Sequence, residues 1–117
     1  MTRIVMAASA VVMVLAGLAC TFAPQELLAH IGASAFPPVA VQVAGALYLG
    51  FAMINWMAKD SLIGGIYNRP VAVGNLLHFA SAAIALLKAQ AWIAAVVYAI
   101  FAIAFAKIVF TSPPASR

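Results

Sequence analysis

Four apolar runs, each close to the length of a bilayer crossing and nearly free of charge, constrain this chain more than any other feature. They cover Ile4 to Phe22, Val39 to Ala58, Pro70 to Leu87 and Ala91 to Phe110. A helix needs about 20 apolar residues to cross the hydrocarbon layer. Inside that layer every backbone N–H and C=O must be satisfied within the span, which leaves helices or closed barrels. The runs are continuous and do not alternate, so a barrel does not fit. Charged residues make up 7% of the 117 positions and apolar ones 68%, against roughly 25% charged in a soluble domain. Eight formal charges cannot build a water-facing surface. The expected fold is all-α: a single integral membrane domain over residues 1–117, built as a four-span antiparallel bundle with a short interfacial helix after the first span.

The connections support that outline. Pro24 to Gly32 carries proline where a helix begins and glycine where one ends. Glu26 in its first turn and His30 in its last both complement the helix dipole. Leu27, Leu28 and Ile31 fall on one side, as in an amphipathic helix lying in the membrane interface, residues 24–31. Ala33 to Pro38 reads as a turn. Lys59 and Asp60 end the second span, and Gly64, Gly65 and Asn68 mark the loop up to Arg69 as turn-forming. Pro70 suits the first position of the third span. Ala89-Gln90 is so short a link that the third and fourth spans must be antiparallel neighbours. Thr111 to Arg117 reads as a short disordered tail.

The first run also has the basic start and small-residue end of a secretory signal. Its length favours an uncleaved span, since a signal core is about 7–15 residues. Cys20 invites a lipoprotein reading, but Gly17 stands where the leucine three places ahead of a modified cysteine belongs. One cysteine allows no internal disulfide and no paired-thiol redox chemistry. As a small apolar residue near the end of the first span it needs no further role. Arg3, Lys59, Arg69, Lys107 and Arg117 fall on one side of a four-span topology and Lys88 on the other. The excess of Lys and Arg places both termini in the cytoplasm. The basic residues form no patch with interleaved aromatics, so nucleic acid is not an expected partner.

Two polar stripes carry the functional information. Gln42, Gly45, Tyr48, Ala52 and Asn55 recur at three- and four-residue steps on the second span. Asn75, His78, Ser81, Ala82 and Ala85 do so on the third, opposite Val73, Leu77, Ala80, Ile84 and Leu87. Polar groups at membrane depth turn towards neighbouring helices. At about 1.5 Å per residue, Asn55 lies roughly 6 Å in from Lys59 and Asn75 roughly 9 Å in from Arg69; Tyr48 and His78 lie roughly 14–16 Å deep. These depths allow Asn55–Asn75 and Tyr48–His78 contacts and packing of the second span on the third. Interhelical hydrogen bonding accounts for such residues without any further function. The sharper reading makes Gln42, Tyr48, Asn55, Asn75 and His78 a binding site, with His78 facing a small cavity.

No catalytic residue or metal ligand set is expected. His30 and His78 sit at different depths with no acidic or thiol ligand at fixed spacing, so neither a metal nor another cofactor is implied. Glu26 and His30, one turn apart, can pair, but they lack a third group to orient them as an acid–base couple. On the fourth span, Ala91, Ala95, Ala99, Ala102 and Ala106 form a small-residue stripe suited to close helix contact. That contact is either within the chain or in a homodimer. Trp56, Trp92 and Tyr67 have the positions of interfacial aromatics.

Four spans in this length resemble the small multidrug resistance exporters, which carry a membrane-embedded glutamate in the first span. Ile4 to Phe22 holds no acidic residue, so proton-coupled exchange does not carry over. The segments Gly45-Ala46-Leu47-Tyr48-Leu49-Gly50, Asn55-Trp56-Met57, Arg69-Pro70 and Asn75-Leu76-Leu77-His78-Phe79 resemble the uncharacterised small four-helix integral membrane proteins of bacteria. That resemblance implies a bacterial inner-membrane location and supplies no activity. The expected role is non-catalytic: binding a membrane lipid, a small apolar molecule or another membrane subunit. The alternative is an oligomeric transporter or channel with the polar stripes lining its path.

Overall fold

The computed structural model describes residues 2–112. Five helices follow one another: α1 (Thr2–Phe22), α2 (Pro24–His30), α3 (Pro38–Ala58), α4 (Arg69–Lys88) and α5 (Trp92–Val109). α1, α3, α4 and α5 are each long and apolar enough to cross a membrane. The chain is therefore an all-α, multi-pass membrane protein, and these four helices cover the four apolar runs to within two residues at each end. The expected tail, Arg117 included, lies outside the described residues from position 113 onward.

The chain divides into two compact units, Met6–Met57 and Met1–Val5 with Ala58–Arg117. In the first unit α1 and α3 run antiparallel. Ser9 meets Asn55, Gly17 meets Gly45 and Thr21 meets Gln42, so positions rise along α1 as they fall along α3. The buried side of α1 is Met6, Ser9, Ala10, Met13 and Gly17, a stripe at three- and four-residue steps. Gly17 and Gly45 mark a close approach of the two backbones. A Cβ on Gly45 would stand 2.9 Å from the Gly17 carbonyl oxygen and 2.9 Å from Cys20 Cβ. Without a hydrophobic force between helices in lipid, small residues that let backbones approach supply the packing contact.

α2 ends as its sequence predicts. Gly32 takes a φ of +75°, a conformation that costs a side chain but not glycine. The Ala33 N–H donates to the Leu28 carbonyl at 2.7 Å and the Gly32 N–H to that of Ala29 at 3.2 Å, the two bonds of a Schellman closure. The apolar side differs from expectation. Pro24 and Leu28, one turn apart, are buried, whereas Ile31 lies just past the helix and is 70% exposed. Termination at His30 takes Ile31 off the helical face on which periodicity placed it.

In the second unit α4 and α5 form an antiparallel hairpin. The link closes by the same two bonds, Ala91 N–H to Leu86 O at 2.9 Å and Gln90 N–H to Leu87 O at 3.0 Å. Here Gln90 occupies the left-handed position at φ +59°. The seam is aromatic. Phe79, fully buried, stacks on Phe105 at 5.6 Å and 7° and on Phe101 at 5.0 Å, with Tyr98 edge-on at 4.9 Å. The expected alanine stripe of the fourth span is therefore not the main seam. Ala95 is buried with Tyr98, Phe105, Ile108 and Val109, while Ala99 and Ala106 are only half-buried. Aromatic rings bring far more contact area than methyl groups and take the centre of the interface. The exposed side of α4 includes Leu77, Ile84 and Leu87 as expected.

Candidate functional site

Asn55 is completely buried, and its Nδ2 donates to Ser9 Oγ at 2.9 Å. Ser9, equally buried, donates in turn to the Met6 carbonyl at 2.9 Å. The hydroxyl thus accepts from one helix and donates to its own, and a relay Asn55–Ser9–Met6 spans the α1/α3 seam. Linked hydrogen bonds in a low dielectric polarise one another and fix register. Ser9 was not among the residues singled out from the sequence. Its signal was present: a polar residue one helical turn from Met13 and two from Gly17, on the small-residue side of an otherwise apolar run.

The remaining stripe residues take different places. Gln42 is exposed, and its Nε2 reaches the Thr21 carbonyl at 3.4 Å. Tyr48 is half-buried on α3. Asn75 is fully buried, and its Nδ2 donates back to the Val71 carbonyl at 2.8 Å. His78 is half-buried, edge-on to Phe79 at 4.8 Å and tilted against Tyr98 at 5.5 Å. Ser81 and Ala85 depart from the expected inward stripe: both are exposed. The buried line of α4 is Ala72, Asn75, Phe79 and Ala83, because Phe79 rather than His78 sits at the centre of the contact with α5. Glu26 and His30 are exposed on α2, and no ion pair joins them among the described residues. No group of three or more His, Cys, Asp or Glu side chains converges among the described residues.

A concavity lies beside the Ser9–Asn55 bond. Ala10 and Ala52, each next to or one turn from that bond, form the floor of a groove of about 390 Å³. Val11, Val14 and Leu15 wall it on α1; Leu49, Met53 and Trp56 wall it on α3. The floor is buried and most of the wall is exposed. Two small residues opposite each other between rows of large ones produce the trough. Its size lies within the range of small-molecule sites, roughly 300–1,000 Å³. Its lining is almost wholly hydrocarbon, with the Trp56 indole near the end of α3. The stripe residues Gln42, Tyr48, Asn75 and His78 are not part of this lining; Asn55 lies beneath it.

The end of the second unit that holds the loop between α3 and α4 is charged. Arg3 Nε donates to Asp60 Oδ1 at 2.5 Å, and Lys59 Nζ reaches Oδ2 at 3.3 Å. These two hydrogen bonds, Arg3 first, hold the Asp60 carboxyl below the usual carboxylate range.

Fold and groove together define a class: a small multi-pass helical membrane protein with an apolar trough between two closely crossed helices. Comparison with protein-family models, curated proteins and solved structures finds no match to this chain.

Proposed function

We propose that the protein is a non-catalytic binder of an apolar membrane ligand, the acyl chain of a membrane lipid, held in the α1/α3 groove. The observation that carries this reading is the lining: two alanines as floor and aliphatic side chains with Trp56 as walls. Such a surface offers dispersion contacts and excludes a charged or strongly hydrogen-bonding ligand. The groove opens along two helices of membrane-crossing length, so hydrocarbon is the medium at its mouth. The buried Ser9–Asn55 bond below the floor keeps the two walls in register. The site is thus the groove with Asn55 as its support, and the protein's partner is membrane lipid, with a homodimer or another membrane subunit as a further partner. We place it in the bacterial inner membrane with both termini cytoplasmic. The Lys and Arg excess on that side supports this orientation.

Native mass spectrometry from mild detergent tests the reading. Wild-type protein should retain lipid, and Val14→Trp, which puts an indole across the groove, should release it while the helix content stays constant. Equal retention by both proteins would overturn the assignment of the groove. Steady solute flux through proteoliposomes would favour the competing reading, an oligomeric transporter with its path along the polar stripes.

A further inference from the structure

The loop between α3 and α4 is a built structure. Gly64 and Tyr67 exchange two backbone hydrogen bonds of 2.9 Å, closing a two-residue turn over Gly65 and Ile66. Gly65 has φ +57°, and a Cβ there would collide with Ser112. Asn68 Nδ2 donates to the Leu62 carbonyl at 2.6 Å and Arg69 Nη1 to that of Gly65 at 3.0 Å. Ile63 is buried beneath. The Gly65 N–H donates to the carbonyl of Val109 at 3.3 Å, and Val109 is the last residue of α5. That bond sets the height of the turn: its backbone lies level with the end of α5, a helix of membrane-crossing length.

Two large apolar side chains protrude at this height. Ile66, next to Gly65, is 78% exposed, and Phe110, next to Val109, is 84% exposed. Tyr67 is also exposed. Around them the free charge is basic. Arg69 and Lys107 are exposed, and the one nearby carboxylate, Asp60, is engaged by Arg3 and Lys59. Apolar and aromatic side chains mixed with Arg and Lys match the headgroup layer, where rings and aliphatic tips sit among phosphates and cations reach outward. The loop is already folded, so seating it there orders little further chain.

We propose that the 61–68 loop, with Phe110, is an interfacial anchor: Ile66, Tyr67 and Phe110 seat in the headgroup layer of the leaflet in which α3 ends, and Arg69 and Lys107 face its phosphates. Spin labels at Ile66→Cys and, separately, Phe110→Cys in a Cys20→Ala background test this in phosphatidylcholine–phosphatidylglycerol vesicles. Both labels should collide several-fold less with a water-soluble nickel chelate than a free aqueous label does, and more with oxygen. Chelate access equal to that of the free label at both positions would overturn the proposal. So would dipolar broadening that disappears on dilution with unlabelled protein, because a second copy of the chain would then cover the surface. If one label disturbs its own segment, the other position still decides.

Discussion

Replacing Gly45 with alanine, against Gly50→Ala as its control, isolates the α1/α3 crossing. Both glycines lie inside α3, so both substitutions gain the same helix propensity, about 1 kcal/mol in favour of alanine. Their surroundings differ. Nothing lies within 4 Å of a Cβ built on Gly50. On Gly45 it would meet Thr21 Oγ1 at 2.7 Å, Cys20 Cβ at 2.9 Å and the Gly17 carbonyl oxygen at 2.9 Å. The last two are rigid, so the helices must separate by about half an ångström to restore ordinary contact. Overpacking of this kind costs about 1–3 kcal/mol. Gly50→Ala should therefore stabilise by up to about 1 kcal/mol, and Gly45→Ala should lie about 1–3 kcal/mol below it. Unfolding by titration with dodecyl sulfate in mixed micelles, followed by circular dichroism, reads the difference directly. Gly17→Ala should fall between, since the atoms it meets first belong to the Leu49 side chain, which can change rotamer. Equal stability of the Gly45 and Gly50 variants would refute the close crossing.

A double-mutant cycle on Ser9→Ala and Asn55→Ala should give a coupling of about 0.6–1.7 kcal/mol, the range for hydrogen bonds between membrane helices; zero coupling would mean the relay does not form. Gln90→Gly should stabilise the α4/α5 hairpin by about 0.5–1 kcal/mol, because glycine removes the cost of a side chain in the left-handed region, and unchanged stability in the same titration would count against that turn. The Asp60 carboxyl sits below its usual range in the folded protein, so its contribution is present above the unfolded value, about 3.9, and is lost as pH falls through the lower folded value. Stability should show no Asp60 step between pH 8 and 5, and Arg3→Gln should diminish the loss seen in strong acid.

The helices were legible because each rests on a run of residues that only lipid can solvate, bounded by charge, proline or glycine. Lys59 and Asp60 end one span, Pro70 opens the next, and Gly32 closes α2 for reasons that belong to single residues. Pairing within the chain was harder to read. Asn55 was visible as a polar residue too costly to leave in hydrocarbon, but its bond to Ser9 depends on how α1 lies against α3. A loop and a short helix separate these two, and no spacing rule connects them. The same limit explains Phe79. Polarity ranks His78 above it, whereas ring packing against Tyr98, Phe101 and Phe105 puts Phe79 at the centre of the α5 contact, with His78 beside it against Tyr98. The groove leaves still less trace, since Ala10 and Ala52 look like any other alanines until their helices are paired.

The two antiparallel pairs meet the same difficulty in opposite ways. In lipid, burial of apolar surface gives helices no advantage over contact with acyl chains, so association needs closer packing or directed bonds. α1 and α3 use glycine contact at Gly17 and Gly45 and a buried hydrogen-bonded relay through Ser9 and Asn55. Their seam fits closely at Gly17 and Gly45 and leaves a trough where alanines stand opposite each other further along. α4 and α5 fill their seam with stacked rings, which bring area and orientation without needing glycine at the crossing. In the α4/α5 seam the rings of Phe79, Tyr98 and Phe105 themselves occupy the centre. A seam floored by Ala10 and Ala52 and flanked by Val, Leu, Met and Trp leaves an open trough. The placement of the proposed ligand between α1 and α3 therefore follows from how that pair is held together.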